Sequence, residues 1–313
     1  MTPGCLKTLV IVTGPTASGK TTLAIELAQA LGTEIVSADS RQLFHDLPIG
    51  TAAPTPDELA QVPHHLVGTL ELTDYYSAAR FEEDALAILD DIWRRSDYAV
   101  MCGGSMMYID AVTDGIDLLP TISPEIRAQV LDLYNKGGLP ALHETLRRLD
   151  PVYLSQADPA NHRRLIHAIE ISLQAGVPCS SLHTGRKKKR PFRIVKLAVG
   201  WPRAELFDRI NRRVDAMIAA GFEEEARRVY PLRHLNSLNT VGYKELFAMF
   251  DGTMDRSTAI ARIAKNTRVY AKKQLLWLSK DPSVRLLDPS RPLLPQALRF
   301  IKGNVSDKLS DNS

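Results

Sequence analysis

Cysteine is nearly missing from this chain. Three occur among 313 residues, Cys5, Cys102 and Cys179, odd in number and far apart. No CxxC pair is formed, which speaks against a zinc site or a disulfide framework and fits a reducing, cytoplasmic setting. Long apolar runs are missing too. Nothing approaches 18 continuous apolar residues, so no membrane span is expected. An excess of one charge is also lacking. Lys and Arg number 39 against 36 Asp and Glu, a formal net charge of +3. Affinity for nucleic acid must therefore come from local basic patches and not from the overall field. What is present is ordinary for a soluble globular protein: 44% hydrophobic and 24% charged residues. The length suffices for one large domain or two smaller ones. The short apolar run near the N-terminus leads into a glycine-rich loop without a small-residue cleavage pattern, so a buried strand is expected there and not a signal peptide.

Periodicity gives the organisation. Residues 6–13 are apolar and β-branched, as a central parallel strand requires. Residues 21–31 repeat apolar positions at helical spacing, and 34–37 form a second short strand running into Asp39 and Ser40. Residues 51–63 are rich in Pro and Thr and read as loop. A helix over 78–95 and a strand over 98–102 follow, and Gly103-Gly104 turns the chain into an apolar segment, 106–112. This alternation predicts a parallel α/β sheet. The pattern changes near residue 113. Residues 123–176 read as consecutive short helices, broken at Gly137-Gly138 and Pro151. The charged run Arg186-Lys187-Lys188-Lys189-Arg190 reads as a loop near phosphates. A strand over 192–200, helices over 203–220, 242–250 and 255–279, and a last strand over 284–287 complete the chain. The polar tail, 304–313, is expected to be disordered. No internal repeat is present. The fold class is therefore α/β: a parallel sheet core over 1–112 and 192–303, P-loop NTPase-like because the first strand runs into the loop Gly14-Pro15-Thr16-Ala17-Ser18-Gly19-Lys20-Thr21, with a mostly helical insertion over 113–191.

Gly14-Pro15-Thr16-Ala17-Ser18-Gly19-Lys20-Thr21 matches GxxxxGK[ST] in full, after a strand and before a helix. The glycines let backbone N–H groups turn inward, and these groups with the helix N-terminus bind phosphate oxygens. Lys20 adds a point charge, and Thr21 is placed to ligate Mg²⁺. The motif is strong for a polyphosphate and silent on which one. Asp39 ends the second strand. Ligands of open α/β sheets bind at the carboxyl ends of the strands, so it should face the same crevice. A carboxylate there accepts a proton from a nucleophile or holds Mg²⁺ through water. It serves equally as a turn or helix-cap residue, and position alone leaves both readings open. Gly103-Gly104-Ser105 offers backbone N–H groups and a hydroxyl at the equivalent end of the third strand, and also suits a plain strand-to-helix turn.

Taken in order, these pieces resemble the tRNA dimethylallyltransferase (tRNA isopentenyltransferase) family, over nearly the whole chain. The resemblance rests on the P-loop and on Ser37-Ala38-Asp39-Ser40-Arg41-Gln42, Ile49-Gly50-Thr51-Ala52, Pro63-His64-His65-Leu66 and Tyr76-Ser77-Ala78-Ala79. Gly103-Gly104-Ser105 with Tyr108, Val241-Gly242-Tyr243-Lys244 and Lys273-Gln274-Leu275-Leu276-Trp277 extend it. Ala53, Gly68 and Met106 depart from the pattern, where Lys, Asp and Gly are common in the family. None removes a phosphate ligand or the candidate base, so they bear on affinity and rate more than on reaction type.

The resemblance implies transfer of a dimethylallyl group from dimethylallyl diphosphate to N6 of the adenosine 3′ of the anticodon in tRNA. Asp39 would be the general base, and Gly14 to Thr21 with Mg²⁺ the cradle for the departing diphosphate. Arg213 would be a diphosphate ligand. In the helix over 203–220, at 100° per residue, Leu206, Phe207, Ile210, Val214, Met217 and Ile218 share one face. Arg213 lies at its edge, while Arg209 and Arg212 point progressively away. An arginine at such an edge either snorkels to solvent or reaches into the cleft, and the resemblance favours the cleft. It also assigns tRNA contacts to Asp39, Ser40, Arg41, Gln42, Ser105, Arg127, Arg163, Arg164, Leu165, Ile166 and His167. The expected partner is the anticodon stem-loop of tRNA, bound by a monomer. Lys265, Arg268, Lys272 and Lys273 form a further basic patch, and Trp277 is expected in the core and not as a stacking platform. The alternative is a P-loop small-molecule or nucleoside kinase, which accounts for the P-loop and Asp39 but leaves the insertion and the C-terminal motifs unused.

Overall fold

The computed structural model describes residues 6–117, 119–185 and 187–306. The run TLVIVT at Thr8–Thr13 (β1) is buried throughout, as expected of a strand covered on both faces. In chain order it is followed by α1 (Lys20–Leu31), β2 (Ile35–Ser37), α2 (Pro56–Gln61), β3 (His64–His65), α3 (Ala78–Ile92), β4 (Tyr98–Cys102) and α4 (Met106–Asp114). Then come α5 (Pro124–Leu149), α6 (Pro151–Gln156), α7 (His162–Ala175), α8 (Cys179–Leu182), β5 (Arg193–Val199) and α9 (Arg203–Ala219). The chain continues through α10 (Phe222–Val229), α11 (Tyr243–Phe250), α12 (Arg256–Leu278), β6 (Val284–Leu287) and α13 (Leu293–Ser306). The six strands form one parallel sheet in the order β3-β2-β4-β1-β5-β6. Alternate β1 residues serve opposite faces. Leu9 and Ile11 pack with Phe81 and Leu89 of α3 and Ile109 of α4, while Val10 and Val12 pack with Leu23 and Leu27 of α1 and Ile301 of α13. A third cluster joins Phe44 and Leu47 to Phe222, Tyr243 and Phe247 of α10 and α11.

Two compact units divide the chain: Asp114–Lys188, and the residues up to Thr113 with those from Lys189 onward. The second division falls a little earlier than residue 191. Lys189, Arg190 and Pro191 belong with the sheet because Arg190 is anchored there. Its guanidinium donates to Glu82 Oε1 at 2.7 Å and to the carbonyls of Val112 and Ala111 at 2.8 and 2.7 Å. Both side chains of this ion pair are under a tenth exposed. Arg190 is thus a structural cation and not part of a phosphate-facing loop, while Arg186 lies outside the described residues. The helical unit packs α5 against α7 around Leu142, Leu146, Leu165 and Ile169. Its expected break at Gly137-Gly138 is a kink: Gly138, with φ 58°, joins two helical halves of α5.

Several elements escaped the periodicity reading. The Pro/Thr-rich stretch holds α2, opened by a reciprocal capping box between Thr55 and Glu58 with a proline in the first turn; that T-x-x-E spacing was readable. Between Leu293 and Ser306 the chain is helical, so the helix continues to residue 306 of the tail expected from 304, and residues 307–313 lie outside the described residues. Among the described residues no helix is long and apolar enough to cross a membrane. Trp277 sits half-buried against the first cluster and donates to Asp110 Oδ2 at 3.1 Å.

Two consequences are measurable. Removing one member of a buried ion pair leaves the other uncompensated, so Arg190→Ala is expected to lower the unfolding free energy by about 3–5 kcal/mol in urea titrations. Lys196, in the sheet, binds Asp281 Oδ2 at 2.7 Å. Burial alone would raise the Asp281 carboxyl, but the hydrogen bonds from Lys196 and Ser283 outweigh it and hold it down at about 2. A depressed carboxyl stabilises the fold above its unfolded value of about 3.9 and loses that contribution as pH falls toward 2. Asp281→Asn should therefore be less stable than wild type at pH 7, with the gap closing between pH 4 and 2.

Candidate active site

The sheet order places β4 between β1 and β2, so three carboxyl-end loops lie side by side: residues 14–19 after β1, 103–105 after β4 and 38–42 after β2. The backbone ties them together. Gly103 N donates to Val12 O at 3.2 Å, Ala38 N to Cys102 O at 2.8 Å, and Ser105 N to Ala38 O at 3.1 Å. A Cβ on Gly103 would lie 2.1 Å from Ala38 O, so only glycine permits this approach.

The P-loop adopts left-handed backbone at Gly14 (φ 135°), Ala17 (φ 63°) and Gly19 (φ 86°). At Ala17 this conformation costs on the order of 1 kcal/mol. Its carbonyl is held there by Arg209 Nε at 2.8 Å, and the next carbonyl, of Ser18, by Trp201 Nε1 at 2.8 Å. Arg209 also stacks on Trp201, 4.3 Å from the ring centroid. A cavity of about 320 Å³ is lined by Ala17, Gly19, Lys20, Thr21, Thr22, Arg209, Arg212 and Arg213. It contains four cations, the first turn of α1 and no carboxylate, a donor set for a polyanion. Ser18 Oγ, buried in the loop, has no hydrogen-bond partner among the described residues. Burial, above all, lowers the Lys20 ammonium from its usual range; neighbouring Arg213 adds to this and Asp39 opposes it. Burial likewise lowers Arg213, with Asp39 again opposing. Asp39 thus lies within electrostatic reach of both.

Arg213 faces the P-loop, and so do Arg209 and Arg212, which were expected to point progressively away. Arg209 precedes Arg213 by four positions and shares its side of the helix, a signal present in the sequence but overshadowed by the apolar stripe.

Around Asp39 the loop is held by a set of hydrogen bonds. Asp39 Oδ1 accepts the Arg41 N–H at 3.0 Å. Ser105 Oγ accepts the Ser40 N–H at 2.8 Å and donates to Ser40 Oγ at 3.1 Å. Arg41 donates to the carbonyls of Asn236 and Ser237 at 3.1 and 3.0 Å. Gln42 donates to Ala52 O at 2.9 Å. Beneath lies a carboxylate the sequence reading missed: Glu225, wholly buried, accepts the N–H groups of Ile49 and Gly50 and the Tyr243 hydroxyl at 2.8, 2.7 and 2.6 Å. A Cβ on Gly50 would meet Phe222 at 2.3 Å, so the segment is seated directly on α10 and α11.

In the helical unit Arg163, Arg164 and His167 are exposed and Ile166 is half-buried. Leu165 is wholly buried in that unit's core, so its side chain presents nothing to a partner. Glu170 is buried between Arg127 Nε at 3.7 Å and His167 Nδ1 at 3.4 Å. Among the described residues, one trio has metal-like spacing: His45, Asp46 and Glu71. Both His45 nitrogens already face carboxylates, at 3.2 and 3.0 Å, so the trio reads as ion pairs.

A cationic phosphate cradle after β1, with a carboxylate after β2, two strands away, within its electrostatic reach, defines a P-loop enzyme that acts on a phosphorylated substrate. The chain belongs to the IPP transferase family, whose model matches residues 42–281. It is 51% identical over 284 residues to the tRNA dimethylallyltransferase 2 of Parabacteroides distasonis, covering 91% of this chain and 95% of that one. The same identity and coverage relate it to the tRNA dimethylallyltransferase 1 of Phocaeicola vulgatus. Among solved structures it is similar to the tRNA isopentenylpyrophosphate transferase of Bacillus halodurans, with 32% identity, a TM-score of 0.70 and 97% of each chain covered. A eukaryotic dimethylallyltransferase solved acting on tRNA shares the fold at a TM-score of 0.79 and 23% identity, over 96% of this chain and 80% of that one.

Arg209 supplies a cavity cation and a brace for Ala17. Arg209→Ala should weaken binding of magnesium diphosphate about tenfold or more by isothermal titration, since each tenfold is 1.4 kcal/mol. Unchanged affinity would restrict Arg209 to holding the loop.

Proposed function

We propose that this chain is a tRNA dimethylallyltransferase that moves the dimethylallyl group of dimethylallyl diphosphate onto N6 of the adenosine 3′ of the anticodon. The observation that carries the reading is the pairing of a carboxylate and a cationic cradle on either side of the β4 loop, in a chain of this family. The exocyclic amine attacks the allylic carbon as the C–O bond breaks. Negative charge then grows on the leaving diphosphate. Lys20, Arg209, Arg212 and Arg213 already line the cavity where that charge grows, and the first turn of α1 adds its N-terminal dipole, so little reorganisation is needed when it develops. Asp39, held by the Arg41 N–H, takes the N6 proton and orients the amine. A loop used elsewhere to assist attack on phosphorus serves here to stabilise a leaving group.

The cavity fits a magnesium ion that arrives with the diphosphate, because its lining offers the hydroxyls of Thr21 and Thr22 and no carboxylate. Thr21 would hold that ion, which neutralises phosphate charge in the bound state.

The target adenosine sits in a single-stranded loop and must be splayed out to reach Asp39. Arg163, Arg164, His167 and Arg127 of the helical unit are the contacts to the anticodon stem-loop, with Ser40 and Ser105 nearest the base. Arg41 and Gln42 act mainly through the backbone they hold. The enzyme works as a cytoplasmic monomer.

One assay tests the reading: protein, Mg²⁺, labelled dimethylallyl diphosphate and an anticodon stem-loop with adenosine after the anticodon. Label should enter the RNA. ATP-dependent phosphorylation of a small molecule, with no label in RNA, would refute it. Asp39→Asn should cut turnover by roughly 10²-fold or more while leaving stem-loop affinity near wild type; equal loss of both would count against a base. Arg164→Ala should weaken stem-loop binding and shrink its salt slope by about one. An unchanged slope would exclude a phosphate contact.

A further inference from the structure

Two loops hold the two halves of this reaction, and one side chain spans them. Gln274 of α12 is 3% exposed. Its Oε1 accepts the Thr16 N–H of the P-loop at 3.0 Å, and its Nε2 donates to Gly104 O at 2.9 Å. A primary amide is planar and rigid, so donor and acceptor sit at a fixed separation. There is no slack on the Gly104 side, where an added Cβ would lie 2.3 Å from Nε2. Tyr270, one turn earlier on α12, aims its hydroxyl at the same carbonyl at 3.4 Å. The connection continues beyond Gly104. Ser105, the next residue, holds the Ser40 N–H through Oγ at 2.8 Å, and Ser40 adjoins Asp39. A line of contacts therefore runs from Thr16 through Gln274, Gly104, Ser105 and Ser40 to Asp39. The leaving group lies at one end and the base at the other.

We propose that Gln274 is a positioning residue that sets the distance between the diphosphate loop and the acceptor loop, and so decides whether the allylic carbon is captured by N6 or by water. The inference rests on the dimethylallyl transfer proposed above. In transfer, the C–O bond to diphosphate breaks, an N6–C bond forms and the N6 proton passes to Asp39. In the competing step the same C–O bond breaks, water oxygen bonds to carbon and water's proton leaves to solvent, giving dimethylallyl alcohol and diphosphate. Both steps balance without a further reactant. A misplacement of about 1 Å costs transfer roughly 10²-fold, whereas water, being mobile, is far less sensitive to the spacing.

The test measures two products, prenylated stem-loop and dimethylallyl alcohol, for wild type, Gln274→Met and Gln274→Glu. Methionine keeps the volume and loses both hydrogen bonds. Glutamate keeps the acceptor for Thr16 N and loses the donor to Gly104 O. The expected result is a fall in kcat for transfer of about 30- to 100-fold, KM for both substrates within about threefold, and a ratio of alcohol to transfer at least about tenfold higher. Glutamate should do the same at a lower thermal stability, because it buries a carboxylate against the Gly104 carbonyl. Tyr270→Phe, which removes the second donor to that carbonyl at a 39% exposed position, should raise the same ratio in the same direction. It keeps the test open if neither Gln274 variant folds, an unchanged ratio counting against the proposal. A rise in KM for dimethylallyl diphosphate at unchanged kcat, with an unchanged product ratio, would overturn the role and reduce Gln274 to a P-loop support. Wild-type protein that prenylates no stem-loop would instead overturn the underlying activity, an outcome distinct from variants whose partition matches an active wild type.

Discussion

Four cations converge on one small cavity, and holding them there against their mutual repulsion is the constraint on which the site depends. Like charges a few ångströms apart in a partly buried setting oppose one another by several kcal/mol at an effective dielectric near 20. The fold meets this cost with neutral and anionic partners. Arg209 is stacked on Trp201 and donates to Ala17 O, so part of its charge is spread over a ring face and a carbonyl. Lys20 donates to Pro15 O at 3.3 Å. Asp39 opposes the lowering of both Lys20 and Arg213. The arrangement is thus poised for added negative charge, which suits a step that releases a dianionic or more highly charged leaving group.

The same charges have to be placed accurately, and the parallel sheet provides that. Successive crossovers bring the ends of β1, β4 and β2 to one edge, and the β4 turn can nestle against Ala38 because residue 103 lacks a side chain. Rigidity then spreads outward by buried polar contacts. Glu225 and Tyr243 fix Ile49 and Gly50, Gln42 grips Ala52, and Arg41 grips the segment at Asn236 and Ser237. A fully buried carboxylate is costly unless satisfied; Glu225, with three donors, is satisfied, and it locks the acceptor loop to α10 and α11. In the helical unit Glu170 has a comparable role, drawing Arg127 and His167 toward one buried carboxylate.

Much of this is legible in the sequence. Glycine spacing and the strand-to-helix context identify the P-loop because backbone geometry at Gly14 and Gly19 tolerates few alternatives. Asp39 was placed in the crevice by the rule for parallel sheets. Three readings needed correction. Arg190, taken as part of a phosphate-facing run, is a buried partner of Glu82. Arg209 and Arg212, set aside by the apolar stripe of α9, line the cavity. Leu165, to which the resemblance assigns a tRNA contact, has its side chain in the core. In each case the local pattern was read correctly as charge or apolarity, and the error lay in what the side chain meets, which lies 108 residues away for Glu82 and Arg190.

By itself the sequence determined the chemistry available: a glycine-framed anion loop, a carboxylate after the second strand, arginines on one helix and a helical insertion. Local rules decide these, since strand, loop and helix propensities act over a few residues. Only the tertiary structure decided which distant groups meet. That Trp201 and Arg209 brace the P-loop, that Glu225 anchors Gly50, and that one amide from Gln274 joins Thr16 to Gly104 are outcomes of packing between segments as far as 258 residues apart. Such contacts form where sheet order and helix docking bring surfaces together, and no periodicity in a linear chain encodes them.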